Sequence, residues 1–424
     1  MDDHLFAGPP PPTARRMVSR RPVVLAGLLG AALAGCSSRG SEHGSISTAG
    51  PATTAPAPTD PAPTSNDPEP EVTDSPSSGP LEGWTLEQKV GQLLMVGADT
   101  SGPQIASIDA VSTHHVGNVF ISGQTRAGAE PVRGVITTLT DLVGPDATHD
   151  TPLLVATDQE GGQVQVLNGT GFSALPSASE QAAMSADDLL TKSRAWGQEL
   201  ADAGVTMNLA PVADLVDGPR PSSNGPIGKW EREYGHDAAT TLDHATAFAR
   251  GMEDAGLIAT YKHFPGLGRV TDNTDTVAGV TDAVTTRSGD PAVSVFADAI
   301  TGGARVIMVS SAIYSLIDSS APAVFSSVVV TDMLRGDLGF QGVAISDDLG
   351  EAAAVGNVKP GDRAVRFFAA GGDLLINADP SLMDEMLKAT ITWAAENPGN
   401  ANRLAESAGR VLALKESAGL LNCG

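Results

Sequence analysis

Three stretches of the chain bring charged, protonatable side chains to the end of an apolar run. Lys262 and His263 follow Leu257-Ile258-Ala259-Thr260-Tyr261 and precede Phe264-Pro265-Gly266-Leu267-Gly268. Asp158 and Glu160 follow Leu153-Leu154-Val155-Ala156-Thr157 and precede Gly161-Gly162. Asp347 and Asp348 follow Val343-Ala344-Ile345-Ser346 and precede Leu349-Gly350. An apolar run that stops on polar groups and then on Gly or Pro reads as a buried strand delivering chemistry at its C-terminal end. Any one stretch alone reads equally well as a strand and a turn with its polar residues in solvent. The same arrangement three times over points to a shared site, of the kind a barrel of parallel strands keeps at the C-terminal ends of its strands.

The elements that must position these residues are legible as a single globular domain from Trp84 onward. Strand-like runs are expected at 116–121, 153–157, 205–209, 257–261, 305–309, 343–346 and 373–376, with helical stretches between them. One helix is expected over 185–203, opened by Ser185 and Asp188 in a capping-box pattern, with Leu189, Trp196 and Leu200 on one face and Gly204 as its stop. Asp347 and Asp348 precede another expected helix start, where Asp348 takes the capping role. Strands alternating with helices imply a parallel α/β sheet, and seven or eight such units in about 340 residues fit a single TIM-type (β/α)8 barrel over residues 81–424. No Gly-x-Gly-x-x-Gly opens a helix after the first strand, and there is no P-loop or His-Glu-x-x-His. His114, His115, His149, His236 and His244 have no metal-ligand spacing, and surface positions are expected for most of them.

The first 80 residues read differently. Arg15, Arg16, Arg20 and Arg21 precede a short apolar stretch from Val23 to Ala34, the order of a secretory signal peptide over 1–35. It ends in Leu33-Ala34-Gly35-Cys36, which resembles the lipobox of bacterial lipoproteins, so that Cys36 would carry lipid and hold the protein on the extracytoplasmic side of the cell membrane. Residues 36–80 read as a disordered tether, since nine of the thirty residues from Pro51 to Pro80 are Pro and little there could offset the ordering entropy. Cys36 and Cys423 are the two cysteines, so acylation of the first leaves no disulfide within the chain. The full sequence has 26 Lys+Arg and 50 Asp+Glu; without the four Arg and two Asp of residues 1–35, 22 face 48, a net charge of −26. That balance argues against nucleic acid and against adhesion to anionic lipid.

Four motifs then occur in order: Asp158-Gln159-Glu160-Gly161-Gly162-Gln163-Val164-Gln165, Asn208-Leu209-Ala210-Pro211-Val212-Ala213-Asp214, Lys262-His263-Phe264-Pro265-Gly266, and Ser346-Asp347-Asp348-Leu349. Together they resemble the glycoside hydrolase family 3 β-N-acetylglucosaminidases, the NagZ-like enzymes, over about residues 84–415. The resemblance implies a retaining exo-glycosidase that removes terminal β-linked N-acetylglucosamine from peptidoglycan fragments or related glycans, with no cofactor and no metal. It implies Asp347 as the nucleophile, and Asp158, Arg232, Lys262 and His263 as ligands of the sugar; a surface salt bridge is the plain alternative for Arg232. The chain departs from the pattern in one place. NagZ-like enzymes follow Lys-His-Phe-Pro-Gly-His-Gly with a loop carrying Asp-Ser-His, whose His is the acid/base and whose Asp orients it. Here Leu267 replaces the second His of the first motif, Asn273 the orienting Asp and Asp275 the acid/base.

Three readings fit the replacement: Asp275 acts as the acid/base with a raised pKa, Asp272 swings in instead, or the site binds sugar and turns it over poorly. Position favours Asp275, and a carboxylic acid in this role implies an acidic pH optimum. The alternatives to the exo-hydrolase are a lipid-anchored sugar-binding protein and a β-glucosidase-like specificity. A monomer is the expected state for a tethered barrel without open sheet edges.

Overall fold

The computed structural model describes residues 81–218 and 220–421. The expected signal peptide over 1–35, Cys36, the tether over 36–80 and Cys423 lie outside the described residues. Nine strand segments carry the site: β1 (Leu94–Asp99), β2 (Asn118–Ser122), β3 (Leu154–Thr157), β4 (Met207–Asn208), β5 (Ile258–Ala259), β6 (Tyr261–Phe264), β7 (Val306–Val309), β8 (Val343–Ser346) and β9 (Leu375–Asn377). Six form one sheet in the order β9-β1-β2-β3-β4-β5, and three form another in the order β8-β7-β6. Every pairing within these two sheets is parallel. Two parallel bridges link them, Val212 with Lys262 and Ile345 with Leu374. The strands read as nearly continuous apolar runs because both faces are covered; Leu94, Met95, Val96, Ile307 and Ile345 are fully buried.

Helices return the chain between strands: α1 (Leu86–Gly91) precedes β1, and α2 (Ile105–Ser112), α3 (Ala129–Thr140), α4 (Ala186–Asp202), α5 (Ala238–Asp254) and α6 (Pro291–Thr301) follow in turn. A π-helical segment, Val328–Asp337, crosses from β7 to β8. Then come α7 (Pro360–Ala370), α8 (Met383–Glu396) and α9 (Pro398–Ser417). The expected helix is α4, capped by Ser185, whose hydroxyl accepts from the Asp188 N–H at 3.1 Å. Its Asp188 carboxylate instead takes the Ser185 hydroxyl proton at 2.7 Å, so the box is not reciprocal. Leu189, Trp196 and Leu200 are buried as expected, about 2 kcal/mol each by area, and Gly204 ends the helix at φ +96°. Close packing of α4 on α5 depends on small residues. A Cβ at Gly251 would meet the Leu190 carbonyl oxygen at 2.5 Å, and one at Gly197 the Ala255 Cβ at 2.8 Å.

Four expectations are corrected. β1 was not anticipated, because its apolar run follows α1 with little turn signal between them. Lys262 and His263 do not follow a strand; they lie inside β6, where every residue is buried, after a break at Thr260. No helix begins at Asp348: a short 3-10 turn, Ala353–Val355, follows, and α7 starts only at Pro360. His244 is also no surface residue, being buried with Nδ1 3.0 Å from the Thr240 carbonyl and Nε2 3.1 Å from that of Met184.

Candidate active site

The C-terminal ends of the strands open into a cavity of about 910 Å³, lined among others by Asp158, Arg232, Lys262, His263, Asp275 and Asp347. All six site residues expected from the sequence within the described region therefore meet in one place. Asp272 is exposed and does not line it. Among the described residues no group of three His, Cys, Asp or Glu side chains is arranged to hold a metal ion.

One wall is an ion-pair cluster. Lys262 Nζ lies 2.6 Å from Asp158 Oδ1 and 2.6 Å from Glu160 Oε1. Arg232 forks onto the same Glu160, Nε to Oε2 and Nη2 to Oε1 both at 2.8 Å, and its Nη1 donates to the Pro226 carbonyl at 2.8 Å. Burial opposes the charge of Glu160, yet Arg232 and Lys262 hold it down at about pKa 2. Asp158 and Glu160 likewise outweigh burial and raise the pKa of Lys262. Arg232 is thus no surface salt bridge. The hairpin carrying Glu160, Gln159–Gly161 against Val164–Gln165, is set by Asn208 at the end of β4. Asn208 accepts from the Gln159 N–H and donates to its carbonyl, both at 3.0 Å.

His263 is held from below. Asp214, fully buried, takes the His263 Nδ1 at 2.7 Å, the His263 backbone N–H at 3.0 Å and the Leu267 N–H at 2.6 Å. A carboxylate there fixes the proton on Nδ1 and leaves Nε2 for the site. The Lys262–His263 and Phe264–Pro265 peptides are cis.

Asp347 sits just past β8, with its N–H on the Val309 carbonyl at 3.2 Å and Oδ1 accepting from the Asp348 N–H at 2.9 Å. Burial, with the charges of Asp275 and Asp348, raises its pKa to about 6 against the opposing effect of His263. Asp348 has the capping duty expected of it, though in a turn: its carboxylate accepts the N–H groups of Gly350, Glu351 and Ala378, each at 2.8 Å.

The 268–277 loop is fastened on both sides. Asn224, buried, donates to the Leu267 and Val270 carbonyls at 2.9 and 2.8 Å. Gly268 lies against the Leu215 carbonyl, where a Cβ would come within 2.0 Å. At the tip, the Asp275 and Thr274 carbonyls accept from the N–H groups of Ala353 and Ala354 at 3.1 and 2.9 Å. Asn273 holds the main chain of Asp275, its Oδ1 accepting the Asp275 N–H at 3.0 Å. Sequence reasoning assigned no duty to Glu160, Asp214 or Asn224. For Glu160 a signal existed, since it stands two residues beyond Asp158 and alternate residues of an extended segment share a face.

The profile of the glycosyl hydrolase family 3 N-terminal domain matches residues 85–414. The chain belongs to glycosyl hydrolase family 3 and is a glycosidase. A β-hexosaminidase of Stenotrophomonas maltophilia is 34% identical over 245 residues, 56% of this chain and 70% of that protein. The β-hexosaminidase LpqI of Mycobacterium tuberculosis is 28% identical over 387 residues, 88% of this chain and 92% of its own. Among solved structures, the β-N-acetylhexosaminidase from Beutenbergia cavernae is 48% identical with a TM-score of 0.77, over 78% of this chain and 98% of that one.

Proposed function

We propose that the chain is a retaining exo-β-N-acetylhexosaminidase that removes terminal β-linked N-acetylglucosamine from peptidoglycan fragments or related glycans. The observation that carries this reading is that Asp347 and Asp275 line one cavity, near enough for the charge of Asp275 to raise the pKa of Asp347. Asp347 attacks the anomeric carbon while Asp275 gives its proton to the leaving oxygen; a water, deprotonated by Asp275, then releases the sugar from Asp347. The first step needs Asp347 ionised and Asp275 protonated. Asp158, Lys262, His263 and Arg232 form the wall that receives the non-reducing sugar. The linked sheets support reading the domain as one eight-stranded (β/α)8 barrel, with β5 and β6 as one interrupted strand.

The test is hydrolysis of the 4-nitrophenyl β-N-acetylglucosaminide, the matching β-glucoside and a natural disaccharide. Asp347→Ala is expected to lose activity on all by about 10⁴-fold or more. Asp275→Ala is expected to lose more on the disaccharide, whose leaving group needs a proton, than on the nitrophenyl substrate. In Asp275→Asn the acid limb of the pH profile, set by Asp347 near 6, should move to lower pH. Full activity in Asp347→Ala removes the assignment. The order of basic, apolar and small residues before Cys36 supports an exported, lipid-anchored protein. Labelled fatty acid should enter the wild type and not Cys36→Ser.

A further inference from the structure

The cations lining the cavity are Arg232 and Lys262, and both are already occupied by Asp158 and Glu160. The other side is less balanced: the buried Arg363 stands near enough to Asp348 for their charges to interact, but it donates to the Leu349 and Gly350 carbonyls and, among the described residues, forms no ion pair with the acids of the cavity. There Asp348, Glu351, Asp379 and Asp99 line the cavity beside the reacting Asp347 and Asp275. Asp348, Asp379 and Asp99 accept hydrogen bonds from main-chain N–H groups or serine hydroxyls, which neutralise no charge. The Glu351 carboxylate accepts none from the described residues and forms no ion pair with them. Burial first, and then the charges of Asp348 and Asp379, raise its pKa.

This acidic side borders the leaving group. The acid/base must reach the glycosidic oxygen, and the main chain of 274–275 is bonded to Ala353 and Ala354, two and three residues beyond Glu351. The segment that carries Glu351 is thus fastened to the loop that carries Asp275, and both residues line one cavity.

We propose that Glu351, with Asp379 and Asp99 behind it, makes the enzyme select its substrate by the charge of the reducing-side sugar, accepting neutral or ammonium-bearing units and rejecting those with a free carboxylate. The proposal rests on the hydrolase reading above and narrows its glycan class. Glycans whose acids are absent or blocked are substrates ahead of peptidoglycan fragments carrying free acids. The repulsion acts at the mouth of the cavity, where water and salt reach it, so the selectivity depends on ionic strength.

The experiment measures kcat/KM of the full chain on four β-linked disaccharides sharing a non-reducing N-acetylglucosamine. Their reducing sugars carry a 2-acetamido group, a free 2-amino group, a 3-O-lactyl acid, or the uncharged amide of that lactyl group as a size control. At low salt the lactyl acid should fall about tenfold or more below its amide, and the amino sugar should equal or exceed the acetamido one. Salt at about 0.5 M should shrink the acid-to-amide gap severalfold. Glu351→Gln should narrow the gap and Glu351→Lys close or reverse it. Equal cleavage of acid and amide at low salt, or a gap unmoved by Glu351→Lys, overturns the charge selection while leaving the hydrolase reading intact. Cleavage of none of the four overturns the hydrolase reading and the selection with it.

Discussion

Two lysines are buried among the described residues, and they lie at opposite ends of the strands. Lys262, within β6 beside the cavity, has two carboxylates on its ammonium group, and its pKa is raised. Lys415, on α9, reaches Gln92 Oε1 at 2.7 Å and the Gly117 carbonyl at 2.9 Å, groups that directly precede β1 and β2. Both of these partners are neutral, and burial brings its pKa down to about 7. Burial is thus common to both and decides nothing by itself. What differs is whether the fold supplies opposite charge, as it does at the C-terminal ends of these parallel strands, where the cavity lies, and not at their N-terminal ends.

Substitutions should separate the two ends in a definite order. Lys262→Met leaves Asp158 without its cation and removes one of two from Glu160. We expect kcat/KM on the nitrophenyl N-acetylglucosaminide to fall by about 100-fold or more, with a loss of about 3 kcal/mol in unfolding free energy. Arg232→Lys keeps the charge but loses the fork and the bond to Pro226, and should cost about tenfold in kcat/KM. A smaller loss there than in Lys262→Met sharpens the comparison; the reverse order breaks it.

Lys415→Met should leave kcat/KM within about twofold of the wild type, because nothing at that end touches substrate. Its effect is on stability against pH. Between about 7 and the ordinary 10.5 the unfolded chain holds a proton that the folded chain lacks. Stability from this group therefore rises with pH through that window, by up to about 1.4 kcal/mol per pH unit, and its full cost stands below about 7. Chemical denaturation at pH 7, 8 and 9 should show this slope in the wild type and a flatter one in the variant.

The sequence made the catalytic end far more legible than the other. Asp158, Lys262, His263 and Asp347 each follow an apolar run directly, so both local pattern and family resemblance reach them. Glu160 and Asp214 escaped a role because their duty is to other side chains: Glu160 bridges residues 72 and 102 positions away, and Asp214 one 49 positions away. Such contacts exist only once the strands are side by side. β1 was missed for a local reason, the lack of a clear stop between α1 and Leu94. Lys415 could not be foreseen as buried, since a lysine near the end of an amphipathic helix ordinarily sits in solvent.

The tip of the 268–277 loop has one more consequence. Its two bonds to Ala353 and Ala354 run from main chain to main chain, and so does not depend on which side chain stands at 275. The backbone there is a mount that holds position 275 whatever its side chain. If Asp275 is the proton donor, as proposed, a one-residue change there would alter the acidity at which the enzyme works while this main-chain anchorage stands.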